Sequence, residues 1–309
     1  MRALVAVFCA CSLAAFAQSD APATTAFRAD TTLVLVPVSV TDPSNRYVLG
    51  LEKQDFHLFE DDVPQTITHF SSEDAPLSIG LLVDTSGSMG AKLDTSRRAI
   101  VEFLKTLNAS DEAFLVEFSD QADLAVSLTS HSSDIENKLT SINSGGLTAL
   151  LDAVHVGLQE MKRAKNPRKA LLIISDGGDN NSRYTSTQIA DLVREADVQI
   201  YAMGVFEPVL SFGLTTARLT TAEMSGPKLL SEIAEQTGGR ALAANNLREL
   251  PGIAERIGIE LRNQYVLAYS PTNKGRDGKY RKVQVKVDQL KALPALKARW
   301  RLGYFAPND

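Results

Sequence analysis

Cysteine is almost absent from this chain: Cys9 and Cys11, close together near the start, are its only two. A chain that loses that segment holds no cross-link, so packing and bound ions are left to stabilise it. Histidine is scarce as well. His57, His69, His131 and His155 are scattered and form no pair with metal-ligand spacing, so they read as structural or exposed. Beyond the N-terminal segment, no apolar run approaches the ~20 residues of a membrane-spanning helix. A strong basic excess is lacking too, since 32 Lys and Arg stand against 37 Asp and Glu, for a net charge of −5. That balance argues against nucleic acid as a partner.

What is present begins with a leader. Met1-Arg2, the apolar residues 3–14 and the small-x-small end Ala15-Phe16-Ala17 have the form of a secretory signal peptide, with cleavage expected before Gln18. Phe8-Cys9-Ala10 is a poor approach to a lipidation site at Cys11, so a cleaved leader is expected over a lipid anchor. The mature protein is then exported, periplasmic or extracellular, with no transmembrane segment. A length of 309 residues suits roughly two domains.

The chain changes character twice. Leu33-Val34-Leu35-Val36-Pro37-Val38-Ser39-Val40 reads as a strand, with Pro37 hinting at an edge or bulge, and short extended segments follow around residues 56–59 and 66–70. From Leu77 strands alternate with helical periods: Leu93, Ile100, Phe103, Leu104 and Leu107; then Leu151, Val154, Leu158 and Met161; then Ile189, Leu192, Val193 and Ala196. Apolar runs at residues 113–118, 170–174 and 198–205 lie between them. This alternation predicts an α/β fold with a doubly wound, mostly parallel sheet. Strand character returns with Tyr265-Val266-Leu267-Ala268-Tyr269, the turn Asp277-Gly278, the alternating Val283, Val285 and Val287, and residues 298–304, where Trp300 reads as an inward residue between Arg299 and Arg301.

Neither flank alone supplies enough strands for a sandwich. Residues 18–76 carry ten acidic and three basic side chains, whereas residues 262–309 carry eleven basic and three acidic. The expectation is one small all-β sandwich formed by both flanks, with the α/β unit inserted in it. The expected domains are a signal peptide at 1–17, an N-terminal β segment at 18–75, an α/β domain at 76–262 and a C-terminal β segment at 263–309 that pairs with 28–75.

Chemistry concentrates at strand ends. The run at residues 77–83 leads into Asp84-Thr85-Ser86-Gly87-Ser88, the run at 170–174 into Ser175-Asp176-Gly177, and Gly145-Gly146-Leu147-Thr148 precedes a helical pattern. In doubly wound sheets ligands bind beyond the carboxyl ends of the strands. Asp84, Ser86, Ser88, Thr148 and Asp176 thus offer two carboxylates and three hydroxyls from three loops. That is an oxygen set for a hard cation such as Mg²⁺, with Mn²⁺ or Ca²⁺ as alternatives. The helix starting near Met89 points its positive end at the same place. Asp179, Asn180 and Asn181 follow closely but read as a solvated loop.

Asp84-Thr85-Ser86-Gly87-Ser88-Met89, Thr148 and Ser175-Asp176-Gly177 resemble the metal-ion-dependent adhesion site of von Willebrand factor type A domains, in the bacterial secreted group with β segments on both sides. The likeness covers about residues 76–262. It implies that Ser86, Ser88 and Thr148 contact the metal and that Asp84 and Asp176 bind it directly or through water. It also implies a non-catalytic module that captures a protein presenting an Asp or Glu carboxylate. Leu147, between the glycine pair and Thr148, departs from the family's pattern.

Two other readings remain open. One is a structural envelope protein whose metal only stabilises the fold; the other is a hydrolase using Asp84 and Asp176, which Ser86 and the helical periods disfavour because they do not fit an all-β aspartic protease. Residues 206–224, with Leu210, Phe212 and Leu214, read equally as a specificity loop or a short buried helix. Partner identity and oligomeric state are left open.

Overall fold

The computed structural model describes residues 33–205, 221–244, 246–289 and 295–308, with residues 221–225 described by backbone alone. The leader at 1–17 and residues 206–220, with Leu210, Phe212 and Leu214, lie outside the described residues.

The N-terminal flank supplies β1 (Val34–Thr41), β2 (Phe56–Glu60), β3 (Val63–Gln65) and β4 (Ile67–Ser71). Next come β5 (Leu77–Asp84), α1 (Leu93–Leu104), β6 (Glu112–Phe118), β7 (Ala122–Thr129), α2 (Ser132–Ser141), α3 (Leu150–Met161), β8 (Arg168–Ser175), α4 (Ser186–Glu195) and β9 (Gln199–Gly204). They are followed by α5 (Thr221–Glu235), β10 (Ala241–Ala243) and α6 (Leu250–Arg262). The C-terminal flank adds β11 (Tyr265–Tyr269), β12 (Tyr280–Val287), β13 (Lys297–Trp300) and β14 (Gly303–Phe305).

Six strands form the central sheet in the order β10-β9-β8-β5-β6-β7, all parallel except β7, which runs antiparallel to β6. Every residue of β5 is buried, as expected for a strand covered on both faces, which therefore reads as an unbroken apolar run. Its side chains still alternate. Ile79, Leu81 and Val83 pack with Phe103 of α1, Ile135 of α2 and Ile257 of α6. Leu82 points the other way, with Phe114, Val154 of α3, Ile189 of α4 and Ile233 of α5. The sheet is thus wound with helices on both faces, as the alternating pattern predicts.

The flanks interleave. β1 lies between β13 and β11 in one antiparallel sheet, with Val36 opposite Leu267 and Val38 opposite both Tyr265 and Trp300. β2 lies between β12 and β3 in another, with Leu58 opposite Val285. Val36, Val38, Phe56, Leu58, Leu267 and Val283 share one apolar interior. The α/β unit is inserted in a sandwich that takes strands from both ends of the chain. Trp300 packs against this interior and its indole donates to Val283 O at 3.0 Å.

The sequence reading does not include β7, α2 or β10. β7 is a sheet edge with no fully buried residue, and only Ile135 and Leu139 of α2 are buried. α2 lacks the apolar density that marks a helix in sequence, whereas β7 carries the alternating Leu124, Val126 and Leu128 of a strand.

Candidate metal site

The central sheet brings three loops together at the carboxyl ends of β5, β6 and β8. The apolar run of β5 stops at Asp84, and the chain turns through Ser86 into a 3-10 turn at Gly87–Met89. Thr85 fixes this turn sideways, since its amide and hydroxyl donate to Phe118 O at 2.8 and 3.0 Å. Asp84 Oδ1 accepts from the Ser86 amide at 2.9 Å and Oδ2 from the Ser175 hydroxyl at 2.6 Å. The Ser86 and Ser88 hydroxyl oxygens lie 3.2 Å apart. Asp84 and Ser86 are buried while Ser88 is exposed, so the loop has a closed floor and an open mouth.

The second loop is laced to the first. Gly145 N donates to Thr85 O at 2.8 Å, and Gly87 N donates to Gly146 O at 3.0 Å. Gly146 has φ +81°, which favours glycine, and a Cβ there would stand 2.6 Å from Asp120 Oδ2 and displace that carboxylate. Asp120 Oδ1 accepts from the Leu147 amide at 2.8 Å. Leu147 is 48% exposed, whereas Thr148 beside it is buried. The residue that departs from the family's pattern therefore faces outward.

Asp176 follows Ser175 on the third loop. Its Oδ2 accepts from Lys92 Nζ at 3.1 Å, while its Oδ1 is buried without a partner. Gly177, at φ +82°, sits so near the backbone of Gly226 in α5 that an added Cβ would come within 2.6 Å of it.

The third loop also holds the second. Asn180 Oδ1 accepts from the Thr148 amide at 2.8 Å, and the amides of Asn180 and Asn181 both donate to Thr148 O at 3.0 Å. α3 begins after Ala149, whose methyl cannot cap a helix. Ser182 Oγ supplies the cap, accepting from the amides of Leu151 and Asp152 at 3.0 and 3.2 Å and donating to Asp179 Oδ1 at 2.5 Å. The polar run after Asp176 is thus a scaffold for Thr148, not merely a solvated loop.

Burial pushes the Asp84 carboxyl up, hydrogen bonds from Ser175 and Ser86 pull it down, and the charge of Asp176 raises it; the balance is about 6. Burial likewise raises Asp179. Asp84 and Asp176 are both buried, and the ammonium of Lys92 lies against Asp176 alone of the two. Such a site favours added positive charge.

Among the described residues no group of three or more His, Cys, Asp and Glu is assembled to hold a metal. The set at these strand ends is two carboxylates with hydroxyls, all hard oxygen donors, and one buried carboxylate oxygen lacks a partner. It fits a hard divalent cation.

The sequence reading set Asn180 aside as part of a solvated loop and did not single out Lys92, Asp120 or Ser182. Asp120 was within reach, because Phe118-Ser119-Asp120 ends an apolar strand just as Asp84 and Asp176 do. Lys92 carries no local signal: nothing in the pattern places it against a residue 84 positions away.

The family profile of the von Willebrand factor type A domain matches residues 79–178. An uncharacterized protein of Borreliella burgdorferi is 26% identical over 188 residues, covering 56% of this chain and 55% of its own length. Inter alpha-trypsin inhibitor heavy chain 4 of Mus musculus is 28% identical over 146 residues, which are 42% of this chain and 16% of that protein. The chain therefore matches about half of the first relative's length and less of the second's. Among solved structures, von Willebrand factor type A from Catenulispora acidiphila superposes with TM-score 0.52 at 12% identity, covering 91% of this chain and 75% of that one. Proximal thread matrix protein 1 from the mussel byssus gives 0.51 at 18%, covering 66% and 51%. At these identities the structural likeness speaks to the fold. Strand order, helices on both faces, loop placement and the family match agree: residues 79–178 match the von Willebrand factor type A domain, and the central sheet with its helices has that domain's fold.

Proposed function

We propose that the protein is a metal-dependent binding module that captures a partner through an Asp or Glu carboxylate. Asp84, Ser86, Ser88, Thr148 and Asp176 would hold the ion, with Mg²⁺ the expected species and Mn²⁺ or Ca²⁺ able to replace it. When bound, the cation supplies a Lewis-acid vertex for an outside carboxylate. The observation that carries this reading is the buried, unpartnered Oδ1 of Asp176 among hard oxygen donors, because a buried polar atom without a partner is costly and calls for one.

The chain's own residues do the preparation. Asp84 orders the Ser86 loop by accepting its amide, Asn180 and Asp120 hold the Thr148 loop, and Ser88 stands at the mouth where a partner would arrive. Exposed Leu147 offers that partner an apolar neighbour to its acid group. With the leader read at residues 1–17, this capture would take place outside the cytoplasm. No helix of the described residues is long and apolar enough to cross a membrane.

The test is a Mn²⁺ titration followed by electron paramagnetic resonance, with circular dichroism as the check on folding. Wild type is expected to bind one ion and to retain an Asp-containing peptide only while loaded. The double variant Ser86→Ala with Ser88→Ala should stay folded and lose both properties. Equal Mn²⁺ binding by wild type and the folded double variant overturns the reading.

A further inference from the structure

The metal reading leaves one charged group unused. Lys92 Nζ donates to Asp176 Oδ2 at 3.1 Å, and both residues are more than nine-tenths buried. It is not a surface lysine that happens to lie across a carboxylate. Its backbone is fixed at the start of α1, where its amide donates to Met89 O at 2.8 Å and its carbonyl accepts from the amides of Thr95 and Ser96 at 3.1 and 3.0 Å. Four methylenes separate this anchor from the ammonium, so the head can withdraw while the backbone stays in place.

The two oxygens of Asp176 are in different situations. Oδ2 carries the ammonium, and Oδ1 is the buried oxygen with no partner. A dication entering at Oδ1 would meet the repulsion of a like charge in a poorly solvated place, where screening is weak. Without any ion, the same ammonium is what balances Asp176, since a buried carboxylate is costly unless paired.

We propose that Lys92 is a built-in cation that competes with the divalent ion for Asp176, holding the ion-free site together and lowering its affinity for metal. This inference rests on the metal reading above and concerns the regulation of that same site. It makes occupancy conditional. Because Lys92 already offsets part of the negative charge, the donors of the chain hold a dication weakly, and an acidic partner that adds a carboxylate favours loading of the ion. Metal and partner then bind cooperatively, each raising the affinity of the other by the same factor.

The experiment uses the full chain and Mn²⁺ as the probe, with wild type, Lys92→Met and Lys92→Gln, both of which remove the charge and keep most of the stem. Mn²⁺ affinity is read by titration, and thermal midpoints are read in EDTA and in saturating Mn²⁺. Both variants are expected to bind Mn²⁺ at least about tenfold more tightly than wild type, given the size of a unit-charge repulsion at such range. Their midpoints in EDTA should fall below that of wild type, with Mn²⁺ closing the gap. If wild type binds Mn²⁺ and the variants bind it no better, the metal reading stands and the role of Lys92 is overturned. If neither wild type nor the folded variants bind Mn²⁺ at millimolar concentration, the metal reading itself fails and takes this inference with it. Variants that stay unfolded even in saturating Mn²⁺ also overturn it, because Lys92 would then be a structural requirement and not a competitor.

Discussion

The Ser175 hydroxyl donates to Asp84 Oδ2 at 2.6 Å, joining the last residues of two neighbouring parallel strands. Ser175 Oγ in turn accepts from the Gly177 amide at 2.9 Å. One buried atom therefore aligns both carboxylate loops.

Ser175→Ala would leave the Asp84 oxygen and the Gly177 amide unpaired in a buried place. Leaving a buried donor or acceptor without its partner costs about 1–3 kcal/mol. Urea denaturation of Ser175→Ala should show a loss in that range, while Ser141→Ala, at an exposed helix end, should change stability little. Equal stability of wild type and Ser175→Ala would show that the bond contributes nothing.

Gly146 gives a second expectation. Alanine there would adopt φ +81° and push its methyl into the Asp120 carboxylate; the backbone strain alone costs about 1–3 kcal/mol. Gly146→Ala is expected to lower stability by at least that much. Adding Asp120→Ala removes the obstructing oxygens, so the double variant should lose less than the sum of the single losses, a coupling that a thermodynamic cycle measures. Strict additivity would mean that the two residues do not meet.

These contacts show what was legible in the sequence and what was not. The unbroken apolar run of residues 77–83 announces a strand covered on both sides, and its termination at Asp84 announces a ligand-side loop; both facts are local. The alternation of Val283, Val285 and Val287 is equally local and marks β12. The bonds from Asn180 to Thr148 and from Lys92 to Asp176 span 32 and 84 positions. They depend on how loops approach after the sheet has formed, and no period or propensity encodes that. The run Asp179-Asn180-Asn181 looks like any solvated loop until α3 is seen to lack a capping side chain of its own. Two other elements were missed for different reasons: α2 buries too little to leave a pattern, whereas the alternating Leu124, Val126 and Leu128 of β7 do leave one, and it was passed over.

Acid should act on the α3 loop through Asp152. Its Oδ1 accepts from the amides of Arg183 and Tyr184 at 2.9 and 3.2 Å, and its Oδ2 from Arg183 Nε at 2.8 Å. Burial pushes this carboxyl up, but the Arg183 and Tyr184 hydrogen bonds and the Arg183 charge outweigh it, leaving the group below its ordinary value. A carboxyl whose folded pKa is depressed stabilises the fold fully above the unfolded value of about 3.9, and that stability is lost as pH falls through the folded pKa. Asp152→Asn should therefore be less stable than wild type by about 1–3 kcal/mol at neutral pH, and the gap should narrow only below about pH 4. A gap that stays constant down to strong acid would rule out the ionised form as the stabilising one.

The flanks and the central unit can be separated by where a cavity is felt. Leu267 in β11 is fully buried, faces Val36 and Phe70 across the ladders, and belongs to the flank interior, not to either face of the central sheet. Leu267→Ala should cost about 2–5 kcal/mol, the usual range for a buried leucine whose surroundings relax only in part. If residues 76–262 form a domain of their own, that loss belongs to the flanks. Hydrogen exchange should then quicken for the amides of β1, β2, β11 and β12 and stay unchanged for β5 and β8, because local opening follows cooperative units. Acceleration by the same factor in β5 and β8 would instead mean that the sandwich and the inserted unit open as one, and the proposed boundaries at 75 and 263 would have no thermodynamic meaning.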